Sequence, residues 1–333
     1  HLGRPEGKVV AKYSLAPVRE HLQASLNNPV VLAPDCIGPE TERIVRADHN
    51  QVVLLENLRF HKEEERNDRE FSRALASLGE VYVNDAFGAA HRAHASISGM
   101  TTFFMFKAAG KLMQKELEYL APMLTAPEQP FVMILGGAKV SDKIGVIKNL
   151  LPKVSALLIG GGMAYTFLKS QGIQIGRSLV EEEKLNLAAE LVAEASRRRV
   201  KLVLPIDHIT GDAEKKNSQT EENDIAPDRM GLDIGPKTVE LFVEQIKKAK
   251  LVLWNGPVGL FEVAPYNEGS RTIANGLAES YPRVTSVIAG GDTVAAVSAA
   301  GVVEKITHLS TGGGATLEFL EGRELPGVKA LEV

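Results

Sequence analysis

Between residues 131 and 315 the chain returns six times to a short apolar run, and five of the six end in glycine. The runs are FVMILGG (131–137), SALLIGGG (155–162), KLVLPID (201–207), KLVLWNGPVG (250–259), TSVIAGGDT (285–293) and THLSTGGGA (307–315). Stretches of helical spacing separate most of them, clearest at 181–199 and 237–249. Near-continuous apolar strands alternating with helices predict a parallel sheet covered on both faces. The glycines then fall where such a sheet binds ligands, outside the carboxyl ends of its strands. Glycine there lets backbone N–H groups approach phosphate oxygens, and a following helix aims its positive end at the charge. Tight strand-to-helix turns also use glycine, and one cluster alone would be read that way. Five clusters in one domain point to a ligand.

The first third is sparser. Apolar runs at 30–34, 52–55 and 81–83 alternate with helical spacing at 14–26 and 63–78. Ser14 is placed to cap the first helix, with Pro17 in its opening turn. Residues 105–124 read as one long helix, with Met113, Leu117, Leu120 and Leu124 on one face. The breakers Pro127 and Pro130 follow it and mark a domain boundary. A length of 333 residues suits about two domains.

Composition narrows the function. The net charge of −4 gives no field that attracts nucleic acid or an acidic membrane, so an anionic ligand needs a local basic patch. No apolar run approaches the roughly 18 residues of a membrane span. The start, HLGRPEGKVV, lacks a signal-peptide pattern. The single cysteine, Cys36, excludes an internal disulfide and fits a reducing cytosol.

No G-x-x-x-x-G-K-[ST] or G-x-G-x-x-G occurs; GIQIGRS (172–178) has the wrong spacing, and LLIGGGMAYTF with Glu181–Glu183 beyond it matches a dinucleotide fingerprint only loosely. The charges beside the glycines fit phosphate chemistry better. GGAKVSDK sets Lys139 and Lys143 four apart, on one face of a helix starting near the glycines, where an anion would relieve their repulsion; two solvated lysines are the plain alternative. In GGDT, Asp292 suits Mg²⁺, which takes one or two carboxylates plus substrate phosphates, or serves as a cap for a helix starting at Thr293. WNGPVGLFE supplies Trp254, Asn255 and Glu262, able to hold an amide edge, a ribose hydroxyl or a phosphate, or only to form a turn. YVNDAFGAAHRAHAS (82–96) leaves a metal site, a base or an anion clamp open; His91 and His94 have no third ligand marked by spacing.

These stretches, with HLGRPEGKV, LLENLRFHKEEE, GLDIGPKT and STGGGATLEFLEGRELPGV, occur in the order of one family and cover nearly the whole chain. The chain resembles phosphoglycerate kinase. The resemblance implies two Rossmann-like three-layer α/β/α domains with mostly parallel sheets joined by a long hinge helix. The domains would be a triose-binding domain at 1–110, the hinge helix and linker at 111–125, a nucleotide domain at 126–312, and a segment returning to the first domain at 313–333. The implied reaction moves a phosphoryl group between 1,3-bisphosphoglycerate and ADP, giving 3-phosphoglycerate and MgATP, by direct in-line transfer as the hinge closes. ATP/ADP and Mg²⁺ are the implied nucleotide and metal.

By the same resemblance, His1, Leu2, Gly3, Arg4, Arg59 and Arg92 bind the triose, with His91 and His94 shaping the clamp. Gly136, Gly137, Gly160, Gly161 and Gly231 line the base and ribose cleft, and Glu262 accepts from the ribose. Lys139, Asn255, Gly290, Gly291 and Thr293 meet phosphate, and Asp292 holds Mg²⁺. Lys143 and Gly312, Gly313 and Gly314 act at the transferred phosphoryl group. A cytoplasmic monomer is implied. The family carries several dozen residues ahead of HLGR, including a strand and a catalytic arginine. A chain that truly began at His1 is therefore expected to melt in two steps, and a fragment that only binds nucleotide is an alternative. A nicotinamide dehydrogenase is the rival from another class.

Overall fold

The computed structural model describes residues 1–47 and 50–332. Two compact units result: His1–Gln114 together with the chain's end from Glu324, and Lys115–Arg323.

In the first unit, α1 (Ala16–Ser25) precedes β1 (Val30–Leu32), and α2 (Pro39–Ala47) precedes β2 (Val52–Leu54). Pro17 sits in the first turn of α1 as expected, but the cap differs. The helix starts at Ala16, and Glu56 Oε1 accepts the Leu15 N–H at 2.7 Å while Ser14 Oγ accepts that of Ala16 at 3.2 Å. The expected helix at 63–78 is two: α3 (Lys62–Glu65) and α4 (Arg69–Ala76). Asn67 at φ 55° breaks them apart, and Asp68 Oδ1 starts α4 afresh by accepting the Phe71 N–H at 2.9 Å.

After β3 (Val81–Asn84), residues Phe106–Ala109 form β4, so the helix expected over 105–124 begins late, as α5 (Lys111–Thr125). Pairing with β3, Val81 opposite Phe106, outweighs local helical spacing, and Gly110 separates strand from helix. Asp85 Oδ1, just past β3, accepts the Met113 N–H at 3.0 Å and so caps α5. The strands pair in parallel as β1–β2 and β3–β4, two separate sheets rather than one. Cys36, Phe71, Leu75 and Ala95 form a small core beside them.

The second unit is larger and more regular. All six glycine-rich or apolar runs are strands of one parallel sheet: β5 (Phe131–Leu135), β6 (Ala156–Ile159), β7 (Lys201–Val203), β11 (Leu251–Asn255), β12 (Thr285–Ala289) and β13 (His308–Leu309). Between β7 and β11 lies a three-stranded antiparallel sheet of β8 (Asp207–Gly211), β9 (Gln219–Glu222) and β10 (Met230–Ile234), with β8 in its middle. The sequence pattern does not announce this insertion, because β9 is polar throughout and earns no burial. The crossovers run through α6 (Ile144–Leu150), α7 (Met163–Ser170), α8 (Leu185–Arg197), α9 (Pro236–Lys248), α10 (Glu268–Ser280) and α11 (Gly291–Ala299). Beyond β13 come α12 (Gly314–Leu320) and, in the first unit, α13 (Pro326–Lys329).

Every residue of β5, β6 and β11 is buried, as a sheet covered on both faces requires. Trp254 is fully buried in that core. The strand order β7-β6-β5-β11-β12-β13 is the doubly wound order 3-2-1-4-5-6. The direction of winding reverses between β5 and β11, and the loops leaving those two strands flank the crevice where such sheets bind ligands. Among the described residues no helix is long and apolar enough to cross a membrane.

Candidate active site

At the switch point three strand ends are knitted together. Gly136 N donates to Asn255 O at 3.0 Å, Gly137 N to Pro257 O at 2.9 Å, and Gly161 N to Val258 O at 2.8 Å. A Cβ on Gly136, Gly161 or Gly256 would strike neighbouring backbone at 2.1–2.7 Å, and one on Gly160 would strike Val258 at 2.7 Å. These glycines therefore let the loops pack on each other. Gly137, Gly291 and Gly313 differ, since a Cβ there would meet nothing within 4 Å. Gly137 and Gly313 have φ of 94° and 54°, a backbone reason to be glycine. Gly291 has none, so open space at the first turn of α11 is the feature that sets it apart.

Lys143 does not lie on a helix with Lys139. Residues 139–143 are loop and turn, and α6 starts only at Ile144 with Lys143 as its cap. The expected shared face is lost because Gly137 turns the chain and Glu181 ties it down: Glu181 accepts the Ser141 N–H at 3.0 Å and the Ser141 hydroxyl at 2.6 Å. Burial would raise the Glu181 carboxyl, but the Ser141 bonds outweigh it and hold the pKa below the usual range. The acid that the loose dinucleotide match would have put on a ribose thus anchors the lysine loop. Lys139 stays exposed; Lys143 reaches in and donates to Asn255 Oδ1. Burial lowers the Lys143 pKa, and the Asp142 and Asp292 carboxylates draw it only partway back.

The Asn255 and Thr293 side chains both bond to the scaffold. Asn255 Nδ2 donates to Ala289 O at 2.7 Å, so its carboxamide joins β11, β12 and Lys143. Thr293 Oγ1 donates to the same carbonyl at 2.9 Å and accepts the Gly256 N–H at 2.7 Å. Asp292 is exposed in the first turn of α11, and Gly290, at φ 91°, precedes that helix. Gly312, Gly313 and Gly314 open α12. The last stretch of β13 and its loop are gripped by Glu116 of α5, which lies 2.9 Å from His308 Nε2 and accepts the Thr311 N–H at 2.7 Å.

Gly231 and Glu262 belong to adjoining segments, since the Leu260 N–H beyond β11 donates to Leu232 O of β10 at 2.8 Å. Gly231 lies on β10, where Ser178 Oγ accepts its N–H at 2.9 Å and the Tyr165 hydroxyl occupies the place of a side chain. Glu262 is exposed in a turn beyond β11. Trp254 is core, donating its indole N–H to Gly256 O at 2.8 Å.

In the first unit His1, Gly3, Arg4, Arg59, His91 and Arg92 line one cleft of about 590 Å³ with Gly88, Ala89 and a single carboxylate, Glu65. Arg59 is buried, its Nε 3.3 Å from Glu65 Oε1 and its guanidinium donating to Gly3 O at 3.2 Å. Asn57, missed in the sequence, holds the whole loop: its Nδ2 donates to Leu2 O at 2.7 Å and Tyr13 O at 3.0 Å, and its Oδ1 accepts the Arg59 N–H at 3.1 Å. Leu2 contributes that carbonyl and does not line the cleft. Gly3 turns the loop at φ 63° against the Tyr13 ring. His94 faces the buried Glu64, 3.9 Å away, not the cleft. Burial and Arg59 lower its pKa. Among the described residues one set of potential metal donors converges, Asp35, Cys36 and His61, and neither His91 nor His94 belongs to it.

The sequence model of the family described as Phosphoglycerate kinase matches residues 1–323. The phosphoglycerate kinase of Koribacter versatilis is 54% identical over 342 residues, covering 99% of this chain and 85% of that protein. That of Acidobacterium capsulatum is 55% identical, covering 99% and 84%. The solved phosphoglycerate kinase of Coxiella burnetii superposes with a TM-score of 0.89 at 38% identity, covering 99% of this chain and 84% of that one. Agreement on this scale replaces the dehydrogenase reading and favours no nucleotide-binding remnant; it carries the glycolytic phosphoryl transfer between 1,3-bisphosphoglycerate and ADP. With two α/β units, an arginine cleft and a glycine-lined switch point in place, the chain belongs to the phosphoglycerate kinase family.

Proposed function

We propose that the second unit binds the nucleotide at the β5–β11 switch point, that the arginine cleft of the first unit binds the triose acid, and that Lys143 meets the phosphoryl group in flight. The observation that carries this reading is the gathering of Lys143, Asn255, Gly291 and Asp292 at one switch point, with Lys143 held by Asn255 and feeling the charge of Asp292. The reaction breaks the bond from phosphorus to the acyl oxygen and forms one to a terminal oxygen of ADP. No covalent enzyme intermediate is required, so the residues act by position and charge.

Gly136, Gly137, Gly160 and Gly161 offer a flat backbone surface to base and ribose, with Gly231 and Glu262 at its margin. Lys139 meets phosphate from outside. Asn255 aims Lys143, and Gly290, Gly291 and Thr293 contribute main-chain N–H groups at the positive end of α11. Gly312, Gly313 and Gly314 present N–H groups to the transferred group. Arg4, Arg59 and Arg92 grip the carboxylate and phosphate of the triose through paired N–H donors, supported by His1 and His91. The α5 helix is the element we assign to hinge bending.

Asp292 is a single exposed hard-oxygen donor, and one carboxylate completed by nucleotide phosphates and water is a set that Mg²⁺ accepts, so the residues present fit the ion. When bound there it neutralises phosphate charge. The reading also carries a monomeric cytoplasmic enzyme, which sedimentation and fractionation check. Coupled-assay turnover tests the chemistry: Lys143→Ala is expected to lower kcat about 10²–10³-fold, and Arg59→Ala to raise KM for 3-phosphoglycerate. Full kcat in Lys143→Ala would overturn the assignment.

A further inference from the structure

We propose that Asn149 is a positioning residue for phosphoryl transfer, holding α12 against α6 so that Gly312–Gly314 stay in register with Lys143. The inference rests on the site assignment above. The helix α6 starts one residue after Lys143 and α12 starts at Gly314, so each helix carries one half of the charge-neutralising apparatus at its amino end.

The seam between them is specific. Asn149 Nδ2 donates to the Leu320 carbonyl at 2.8 Å, across 171 residues of sequence. That carbonyl is among the last four of α12, which have no partner inside their own helix. The chain then turns at Gly322, φ 84°, where a Cβ would approach Asn149 Nδ2 to 3.1 Å. One turn back along α6, Gly145 admits the Glu321 side chain, since a Cβ there would fall 2.6 Å from Glu321 Cδ. The carboxyl end of α12 is therefore tied by one hydrogen bond to the helix that Lys143 caps, with the Glu321 side chain packed over Gly145 beside it. Seven residues of helix span about 10 Å, so a small tilt about the pinned end displaces the glycines at the other end by a comparable angle over that lever. Misplacement of about 1 Å can cost 10²-fold in rate. Asn149 touches no reacting atom on this reading; it acts through the two elements it joins.

The experiment measures kcat and KM for MgADP in Asn149→Ala, Asn149→Asp and Gly145→Ala, with Trp254 fluorescence reporting the fold of the second unit. Asn149→Asp keeps the shape but sets an acceptor against the carbonyl. Gly145→Ala drives a methyl toward Glu321 from the same helix, one turn before Asn149. All three are expected to lose about tenfold in kcat with KM for MgADP within about twofold, because the nucleotide surface at β5, β6 and β11 is untouched. A merely structural seam would lower the thermal midpoint and leave kcat within twofold, and that result overturns the inference. Lys143→Ala run beside them separates the two readings. An inert Lys143→Ala with unimpaired Asn149 variants sinks the positioning role alone, whereas a fully active Lys143→Ala sinks the site assignment and this inference with it.

Discussion

Replacing Glu116 by alanine should destabilise the second unit by about 3 kcal/mol. The carboxylate is fully buried and accepts from His308 Nε2 at 2.9 Å, from the Thr311 N–H at 2.7 Å and from the Thr311 hydroxyl at 3.0 Å. Tyr119 stacks on the His308 ring at 4.7 Å, closing the other side. Removing one member of a buried pair costs about 3–5 kcal/mol because the partner is left desolvated and unpaired. The low end applies, since Thr311 is exposed and water can replace the carboxylate at its N–H, whereas His308 at 4% exposure cannot be rescued that way.

The assay is urea unfolding followed by Trp254. It is the chain's one tryptophan, and it lies in the second unit's core, so its signal isolates that unit. A pH signature goes with it. Burial pushes the Glu116 carboxyl up, but the His308 and Thr311 bonds outweigh that and hold its pKa below the usual 4.5. A depressed carboxylate contributes stability that is complete above the unfolded pKa and is lost as pH falls through the folded one. The gap between parent and Glu116→Ala should thus be constant above about pH 5.5 and shrink on further acidification. A loss under about 1 kcal/mol, or a gap indifferent to acid, would refute the account of a buried ionised anchor.

Three further outcomes are expected. With burial lowering the Lys143 pKa and Asp142 raising it, the alkaline limb of kcat/KM for MgADP should fall below the ordinary lysine value of 10.5, and Asp142→Asn should move it lower still; a limb that stays put or rises contradicts this. Gly291→Ala should stabilise the fold by about 0.5 kcal/mol, since a Cβ there meets nothing and alanine is the better helix former, while weakening MgADP binding about tenfold by calorimetry; unchanged affinity would remove the reason for its glycine. Asn57→Ala should cost the first unit about 2 kcal/mol, as three buried or half-buried bonds are lost together, and raise KM for 3-phosphoglycerate; an unaltered KM would mean the HLGR loop keeps its shape without it.

What the sequence disclosed and what it hid divide along a physical line. The six strands of the second unit were legible because a sheet buried on both faces must be apolar at every residue, and because glycine must stand where three strand ends pack backbone on backbone. The arginine cleft was legible only through resemblance, since His1, Arg59 and Arg92 come from three separate segments whose spacing says nothing of their meeting. What stayed hidden is the layer that aims these groups. Asn57, Glu116, Asn149 and Glu181 look like ordinary surface residues in the chain, because a carboxamide or carboxylate that reaches across 40 to 195 positions leaves no local pattern. The mistaken readings have the same origin. A helix was expected at Lys139–Lys143 from spacing alone, and one at Phe106–Ala109 from apolar period alone, yet a tie from Glu181 and a partner strand at Val81 decided otherwise. Asn255 and Thr293 show the consequence for function. Both stand where phosphate contacts were expected, and both have side chains bonded within the scaffold, so the proposed site gives the direct contacts to phosphate to main-chain N–H groups and Lys143, and leaves the polar side chains around them to set where those donors point.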